Sequence, residues 1–234
     1  MNEIYKNIYT RRDVRNEFVN TPIPDDVIAR VLCAAHHAPS VGLSQPWRFV
    51  VIDKPSIKKA VHGLFEEANL EAITLFDPAQ QSHYATLKLE GILESAYNVC
   101  ITCDRRDQTP VLGQTHQPDT DIYSTACAVQ NFWLAAKAEQ LGVGWVSILD
   151  ANKLRDVLGI PEGVIPLAYL CVGYVSEFHQ IPDLIREGWS RRKPLDEVVS
   201  RNHWHSECDN GLANALSNAY SHRESLLGIS EAEE

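Results

Sequence analysis

Hydrophobic positions along the chain predict short strands separated by helices of unequal length. After the turn 21–26, apolar residues recur at three- and four-residue spacing, which is typical of a helix, and Pro39 ends it. Short apolar runs predict strands at 48–52, 98–102, 144–148 and 166–175. Further helices are predicted at 56–75, 84–95 and 152–158.

The segment 122–141 has the most apolar pattern and predicts a long central helix. Apolar side chains cover nearly all of its circumference, which indicates that the helix is buried. Gly142 is expected to cap its C-terminus. We expect Phe132 and Trp133 to pack in the core or at a dimer interface, because so apolar a helix does not stay open to water.

These elements predict an α+β fold with a central sheet flanked by helices and a long buried central helix. Strands and helices alternate irregularly, and four or five short strands fit one sheet. The first predicted strand is not followed by a G-x-G-x-x-G pattern, and the chain has no Walker lysine. The sequence therefore does not support a Rossmann or P-loop site.

The last thirty residues differ in composition from the rest. Six acids at 207, 209, 224, 231, 233 and 234 face a single arginine, Arg223. We predict one domain over 1–204 and an acidic tail over 205–234 that is weakly packed or disordered, with room for a short helix at 212–227.

Charge and cysteine content narrow the classes of partner and compartment. A net charge of -10 argues against nucleic acid or an anionic membrane as the main partner. No apolar run reaches membrane-spanning length, and the N-terminus lacks the apolar core of a signal peptide. Six cysteines, mostly within apolar segments, favour buried, reduced thiols. We expect a cytoplasmic protein.

The segment 11–15, Arg-Arg-Asp-Val-Arg, is the strongest candidate for chemistry. On a helix, the offsets of Arg11, Arg12 and Arg15 would let their guanidiniums share one face and bind a phosphate. A solvated charged turn is the alternative reading. Asp13 weakens a phosphate cradle, so it either neutralises its neighbours or takes part in chemistry.

No convincing metal-ligand set is present in the sequence. Cys100 and Cys103 form a lone C-x-x-C at a strand end, which favours buried thiols over redox or zinc chemistry. His203, His205 and Cys208 lie where the acidic tail begins and are weak candidates for metal ligands.

Several stretches together resemble the nitroreductase superfamily of FMN proteins. Arg11-Arg12-Asp13-Val14-Arg15 is followed by Ala38-Pro39-Ser40 and Gln45-Pro46-Trp47. Typical members carry serine where this chain has Asp13 and asparagine where it has Leu43. Both departures match one branch, the aerobic 5,6-dimethylbenzimidazole synthases. Other stretches resemble that branch too, namely 87–91, 102–105, 111–116, 121–125, 129–131 and 142–148.

The resemblance implies an oxidoreductase in which the flavin is a substrate. Reduced FMN (FMNH2) and molecular oxygen would react, and the ring would be broken down to 5,6-dimethylbenzimidazole, the lower ligand of cobalamin, plus a sugar phosphate. NAD(P)H would act indirectly, through a flavin reductase that supplies reduced FMN. The family also implies an intertwined homodimer with FMN at the interface.

The same resemblance assigns roles to individual residues. Arg11, Arg12 and Arg15 would hold the phosphate, Asp13 would transfer protons, and Ser147 would place a hydroxyl beside the ring. We expect the positive charge around Asp13 to keep it ionised. The residues expected to contact FMN are Arg11, Arg12, Asp13, Val14, Arg15, Ser40, Gly42, Gln45, Leu89, Ser147, Ile148 and Arg191. The acid-rich segment 66–83 would be a lid.

Two other functions remain open at this point. One is a conventional NAD(P)H-dependent nitroreductase or flavin reductase with resident FMN. The other is a flavin-binding or storage module without turnover. Asp13 and Ser147 favour the synthase over both.

Overall fold

The computed structural model describes residues 2–107 and 109–228 and divides the chain into two compact units. The larger unit is Arg11–Phe178. The other comprises the described residues of Met1–Thr10 and His179–Glu234. The predicted division at residue 204 stays a prediction, and residues 229–234 of the predicted tail lie outside the described residues.

Helices and strands alternate irregularly, as the sequence predicts. The helices are α1 Glu3–Thr10, α2 Asp25–His36, α3 Pro55–Ile73, α4 Pro78–Tyr84, α5 Thr120–Ala138, α6 Ala151–Leu158, α7 Asp183–Arg186, α8 Leu195–Val198 and α9 Asn210–Leu227. The strands are β1 Trp47–Ile52, β2 Tyr97–Asp104, β3 Leu141–Val146 and β4 Val164–Tyr174. A single 3-10 turn, Val41–Leu43, precedes β1.

The four strands form one antiparallel sheet in the order β1-β2-β4-β3. Because side chains alternate along a strand, neighbouring residues of β4 serve two cores. Leu170 packs with α2 and α5, whereas Tyr169 and Cys171 pack with α3 and α6. The fold is therefore an α+β sheet between two helical layers, and the predicted fold class is confirmed.

Two glycines of β3 correct the predicted boundaries there. Gly142 is a strand residue and does not cap the central helix, which ends at Ala138. A Cβ on Gly142 would lie 2.4 Å from the Val175 side chain, and one on Gly144 would lie 2.2 Å from the carbonyl oxygen of Val14. Close approach by neighbouring segments, and not helix capping, explains these glycines.

The helix predicted at 84–95 is wrong. Helix α4 ends at Tyr84, and the chain reaches β2 through turns. A Cβ on Gly91 would lie 2.6 Å from the Phe18 ring. The buried Lys58 ammonium donates to the carbonyl oxygens of Ser95 and Leu93. Tertiary contacts therefore hold this segment in an irregular path.

Helix α5 is buried on most of its surface but not all round, contrary to the prediction. Ala128, Phe132 and Ala136 are fully buried. The exposed residues at helical spacing, which we call the α5 stripe, are Tyr123, Ala126, Cys127 and Gln130. The stripe carries no charged side chain and includes the exposed ring of Tyr123, so it is suited to contact with another surface.

The smaller unit contains α1, α7, α8 and α9. The helix suggested at 212–227 is confirmed as α9, and the Asp209 carboxylate accepts the Leu212 N–H to cap it. Arg223, the single basic residue of the predicted tail, is buried. None of the described helices is both long and apolar enough to span a bilayer.

Candidate functional site

The arginine segment runs beside β3 and is not helical. Helix α1 ends at Thr10, and the Val14 N–H donates to the Val143 carbonyl at 3.0 Å. Asp13 forms a parallel bridge with Val143. The expectation that helical offsets align the three guanidiniums is therefore wrong, because an extended path lets residues 13 and 14 pair with an edge strand.

Contacts with α5 nevertheless hold two of the arginines together. The Arg11 guanidinium lies 4.7 Å from the centre of the Trp133 ring, a cation–π contact. Trp133 Nε1 donates to the Arg12 carbonyl at 3.2 Å. Arg12 is buried, and its Nη1 donates to the Arg11 carbonyl at 2.7 Å. Trp133, predicted as packing, therefore fixes both the backbone and the charge of this segment.

Asp13 is held by two donors. Its Oδ1 accepts the Trp145 N–H at 2.9 Å, and its Oδ2 lies 2.6 Å from Arg15 Nη2. Burial raises the pKa of Asp13 above its usual value, and it outweighs the opposing effects of Arg15 and the Trp145 N–H. The sequence led us to expect that neighbouring positive charge would dominate the ionisation of Asp13, but desolvation has the larger effect on its pKa. The side chain is still 32% exposed, so a ligand can reach it.

Ser147 and Ile148 follow directly on the strand that holds Asp13. Ser147 is exposed one residue past the end of β3, and its carbonyl accepts the Leu149 N–H at 3.0 Å. Ile148 packs into the core formed with α3 and α6. Two residues of extended chain cover about 7 Å, so Ser147 lies about that far along the strand from the Trp145 N–H that binds Asp13.

Leu89 lies in the irregular segment beside Arg15. It packs against the α3 and α6 core. At the Gly91 backbone, a Cβ would lie 3.0 Å from the Arg15 carbonyl. Glu90, between them, is buried. The segment 88–91 therefore borders the Asp13–Arg15 pair.

The Ser40–Gln45 loop forms a second group of predicted site residues. The Ser40 hydroxyl accepts the Gln45 N–H at 3.1 Å, and the Val41 N–H donates to the Ser124 hydroxyl at 3.1 Å. Gln45 has a φ of 46° and Leu43 a φ of 53°, a conformation that is uncommon outside glycine. Backbone strain of this kind occurs at ligand sites.

The two groups meet α5 at different points. Ser124 supports the Ser40–Gln45 loop, whereas Trp133 supports the arginine segment. Their offset of nine residues corresponds to roughly 13 Å along the helix. One chain therefore brings together Arg11 to Arg15, Leu89, Ser147 and Ile148 but places Ser40, Gly42 and Gln45 further along α5. Arg191 belongs to the smaller unit, and its role stays a prediction.

A cavity of about 490 Å³ lies beside the Ser44–Pro46 backbone and is lined by none of the residues predicted to contact FMN. Arg105 lies at this cavity and binds Asp121 at 2.8 Å and Asp119 at 3.2 Å. The cavity is lined by Ser44, Pro46, Asp104, Arg105, Asp107, Thr109, Pro110, Val111, Gln114, Thr115, Pro118 and Asp121. The stretch 102–105 is indicated by the sequence only through the family resemblance. The ion pairs of Arg105 join residues distant in sequence, so spacing along the chain gives no signal for the cavity.

The cysteines are free thiols, as the sequence predicts, but only three of the six are buried. Among the described residues all six are free thiols, and Cys100, Cys103 and Cys171 are buried. Burial raises the pKa of Cys100 and of Cys171 to about 12. Cys33 and Cys127 are exposed, contrary to a wholly buried set. The buried Cys100 and Cys103 fit structural thiols.

Comparison with known proteins identifies the family of this chain. The nitroreductase family model matches residues 8–174. A 5,6-dimethylbenzimidazole synthase of Rhodospirillum rubrum is 44% identical over 79% of this chain and 87% of its own length. A second, from Rhodobacter capsulatus, is 36% identical over 80% of this chain and 90% of its own length.

Solved structures share the fold. An iodotyrosine deiodinase bound to FMN and 3-iodo-L-tyrosine gives a TM-score of 0.67 at 18% identity, over 86% of this chain and 99% of that one. A BluB-like flavoprotein from Clostridium difficile gives 0.66 at 18% identity, over 86% and 99%. The chain therefore belongs to the nitroreductase family, and its sequence groups it with the 5,6-dimethylbenzimidazole synthases of that family.

Proposed function

We propose that this chain is an aerobic 5,6-dimethylbenzimidazole synthase that uses reduced FMN as its substrate and molecular oxygen as co-substrate. The relatives from Rhodospirillum rubrum and Rhodobacter capsulatus are named 5,6-dimethylbenzimidazole synthase. The observation that carries the proposal is the carboxylate of Asp13. Burial raises its pKa, and the Trp145 N–H of β3 holds it in place. Part of the side chain nevertheless remains exposed, so a ligand can reach it.

The charge of the arginine segment fits the phosphate of FMN. Arg11 and Arg12 bring two guanidiniums to neighbouring positions of the larger unit, where Trp133 contacts the Arg11 guanidinium and the Arg12 carbonyl. Guanidiniums give planar, charge-assisted hydrogen bonds to phosphate oxygens. Arg15 already binds Asp13, so it would join the phosphate contact and the acid in one network. Among the remaining expected contacts, Arg191 would supply a further cation.

Asp13 would act as the acid/base. Breaking the ribityl chain requires removal of a proton from carbon or oxygen, and a positioned carboxylate can remove it. A raised pKa makes the carboxylate a stronger base and its acid form easier to populate when the proton is returned. Reduced flavin itself supplies the chemistry that activates oxygen. Ser147, exposed beyond β3, would place a hydroxyl against the ring.

A second copy of the chain would complete the site. The α5 stripe lies on the helix that carries Ser124 and Trp133. Twofold contacts join the same patch on both copies, so antiparallel packing of two stripes would place the Ser40–Gln45 loop of one copy near Asp13 of the other. This arrangement explains why one chain separates the two groups. We propose a homodimer, fed with reduced FMN by a flavin reductase that consumes NAD(P)H.

The function is tested by product analysis. The purified protein is mixed with FMN, a flavin reductase and NADH in air, and organic-soluble products are identified by mass. We expect 5,6-dimethylbenzimidazole and irreversible loss of flavin absorbance. Intact flavin with steady oxidation of NADH by nitro compounds would replace the synthase with a conventional nitroreductase. Intact flavin without oxidation of NADH by nitro compounds would indicate a flavin-binding module that does not turn over.

The composite site is tested by mixing two inactive variants. Asp13→Asn removes the acid, and Gly42→Val disturbs the other group, since a Cβ there meets the Val111 side chain at 2.8 Å. If the site combines two copies, refolded mixtures contain heterodimers with one intact site, and activity rises above that of either variant alone. If each chain holds a whole site, the mixture stays inactive.

A further inference from the structure

A buried acid lies outside the proposed catalytic groups and has no role in the account above. Glu90 is 4% exposed. Its Oε2 accepts the Ile92 N–H at 2.7 Å, and its Oε1 contacts the Lys88 ammonium. These two contacts offset the cost of burying the carboxylate.

A histidine joins this acid to the surface. His62 Nε2 lies 4.0 Å from Glu90 Oε1, and His62 Nδ1 lies 3.6 Å from Glu66 Oε2. Side-chain exposure rises along this path from 5% at Glu90 to 24% at His62 and 66% at Glu66. Each gap is one that a small ring rotation or one bridging water closes. The two ring nitrogens therefore face two carboxylates, one inside and one outside.

The inner end of this path borders the proposed flavin site. Glu90 lies between Leu89 and Gly91, and a Cβ on Gly91 would meet the Arg15 carbonyl at 3.0 Å. Arg15 in turn binds Asp13 at 2.6 Å. The backbone next to Glu90 is thus packed against the backbone of Arg15, whose side chain binds the proposed acid/base Asp13.

We propose that Glu90, His62 and Glu66 form a proton relay between solvent and the flavin site, an inference that rests on the proposed function. In one outward step, protonated Glu90 gives its proton to His62 Nε2 and the proton on Nδ1 passes to Glu66. One proton enters the relay and one leaves, and no electrons move. Reorientation of the ring then presents an N–H to Glu66 again and resets the relay for the next outward step.

Asp13 alone cannot serve a closed site through repeated turnover. It holds one proton, and a proton taken from the substrate must leave before the next cycle. When a lid excludes water, exchange with solvent needs a path through side chains. The relay supplies such a path on the α3 side.

The surroundings of His62 are strongly charged. Lys58 lies one turn before it on α3, and Lys88 and Glu94 face it from the segment before β2. Lys58 donates to the carbonyl oxygens of Leu93 and Ser95 and so holds that segment. Lys88 pairs with both Glu90 and Glu94. The two lysines therefore stabilise the segment before β2. In the proposed relay, His62 is the residue that both accepts and donates a proton.

The test compares His62→Ala and Glu66→Gln with a matched control. Glu162→Gln changes an exposed glutamate in the turn before β4, outside both the relay and the predicted lid at 66–83. The rate of product formation is measured over repeated turnovers with FMN, a flavin reductase and NADH in air. We expect about a 10²-fold slower rate in His62→Ala, a smaller loss in Glu66→Gln and no change in Glu162→Gln. FMN affinity should be unchanged in all three.

Free imidazole distinguishes loss of proton transfer through His62 from a structural effect of the substitution. Added imidazole should restore much of the rate in His62→Ala without altering FMN affinity. A wild-type rate in His62→Ala, or a loss that imidazole does not restore, overturns the relay while leaving the synthase function standing. If the wild-type protein itself leaves the flavin intact, the proposed function fails, and the relay fails with it.

Discussion

The carboxylate of Asp13 accepts the backbone N–H of Trp145 at 2.9 Å, so strand β3 determines where this acid lies. The same strand presents Ser147 one residue past its end. Acid and hydroxyl are therefore positioned by one rigid element. Rigid elements hold functional groups more accurately than loops do.

Asp13→Asn should stabilise the ligand-free protein at neutral pH. Burial raises the folded-state pKa of Asp13, so the fold favours the protonated form and its charged form costs stability. That cost is absent below the unfolded-state pKa and grows as pH rises through the folded-state pKa. The amide mimics the neutral acid, so the variant should melt higher at neutral pH, by about 2–4 °C for each 1 kcal/mol gained.

Thermal unfolding across acidic and neutral pH checks this expectation. The two midpoints should converge as pH falls towards the unfolded-state pKa. A variant that melts below the wild type at neutral pH would show that the Arg15 contact outweighs desolvation.

Gly144→Ala should disrupt the larger unit, because the new Cβ would lie 2.2 Å from the Val14 carbonyl. Either the 13–14 segment or β3 must move, which also displaces Asp13. Gly63→Ala is the matched control, since no atom lies within 4 Å of a Cβ there and the residue is inside α3. The control should gain about 0.5–1 kcal/mol. Urea unfolding of both variants gives the comparison, and equal stabilities would contradict the proposed contact.

Arg11→Gln should weaken FMN binding but leave riboflavin binding unchanged. A charge-assisted hydrogen bond contributes about 1.5–3 kcal/mol, so we expect roughly a tenfold to hundredfold loss for FMN alone. Arg30→Gln is the control, because Arg30 binds Glu139 and Asp26 elsewhere on the surface. Calorimetric titration with both flavins measures the difference. Equal losses for FMN and riboflavin would remove Arg11 from the phosphate contact.

Ser147→Ala should slow product formation without lowering thermal stability. The side chain is exposed, and exposed substitutions usually change stability by less than about 0.5 kcal/mol. Ser176→Ala is the comparison, another exposed serine that contacts only the Glu17 carbonyl in the hydrogen bonds described. Initial rates with saturating reduced FMN decide the matter. Wild-type turnover in Ser147→Ala would exclude the hydroxyl from the chemistry.

The strongly patterned elements could be predicted from sequence. Helix α2, strand β1 and helix α6 lie within a few residues of their predicted bounds, because local periodicity and turn residues determine them. Gly142 and the segment 84–95 could not be predicted correctly. The partners that decide them, Val175 and Phe18, are distant in sequence.

The site also combines features that could be predicted from sequence with features that depend on tertiary contacts. The residue types at 11–15 indicated phosphate and acid chemistry, but their extended pairing with Val143 depends on tertiary contact. The raised pKa of Asp13 likewise follows from burial, which the sequence does not display. Spacing along the chain also gave no sign that α5 separates Ser40 from Asp13.

The most direct measurement of the central claim is a single turnover. Reduced FMN is bound without oxygen to the wild-type protein and to Asp13→Asn, and oxygen is then admitted while the visible spectrum and products are followed. We expect the wild type to lose flavin absorbance permanently and to yield one 5,6-dimethylbenzimidazole per flavin, whereas Asp13→Asn should bind reduced FMN and return it as oxidised FMN. Quantitative recovery of oxidised FMN from the wild type would overturn the synthase function, and full product from Asp13→Asn would overturn the role of Asp13.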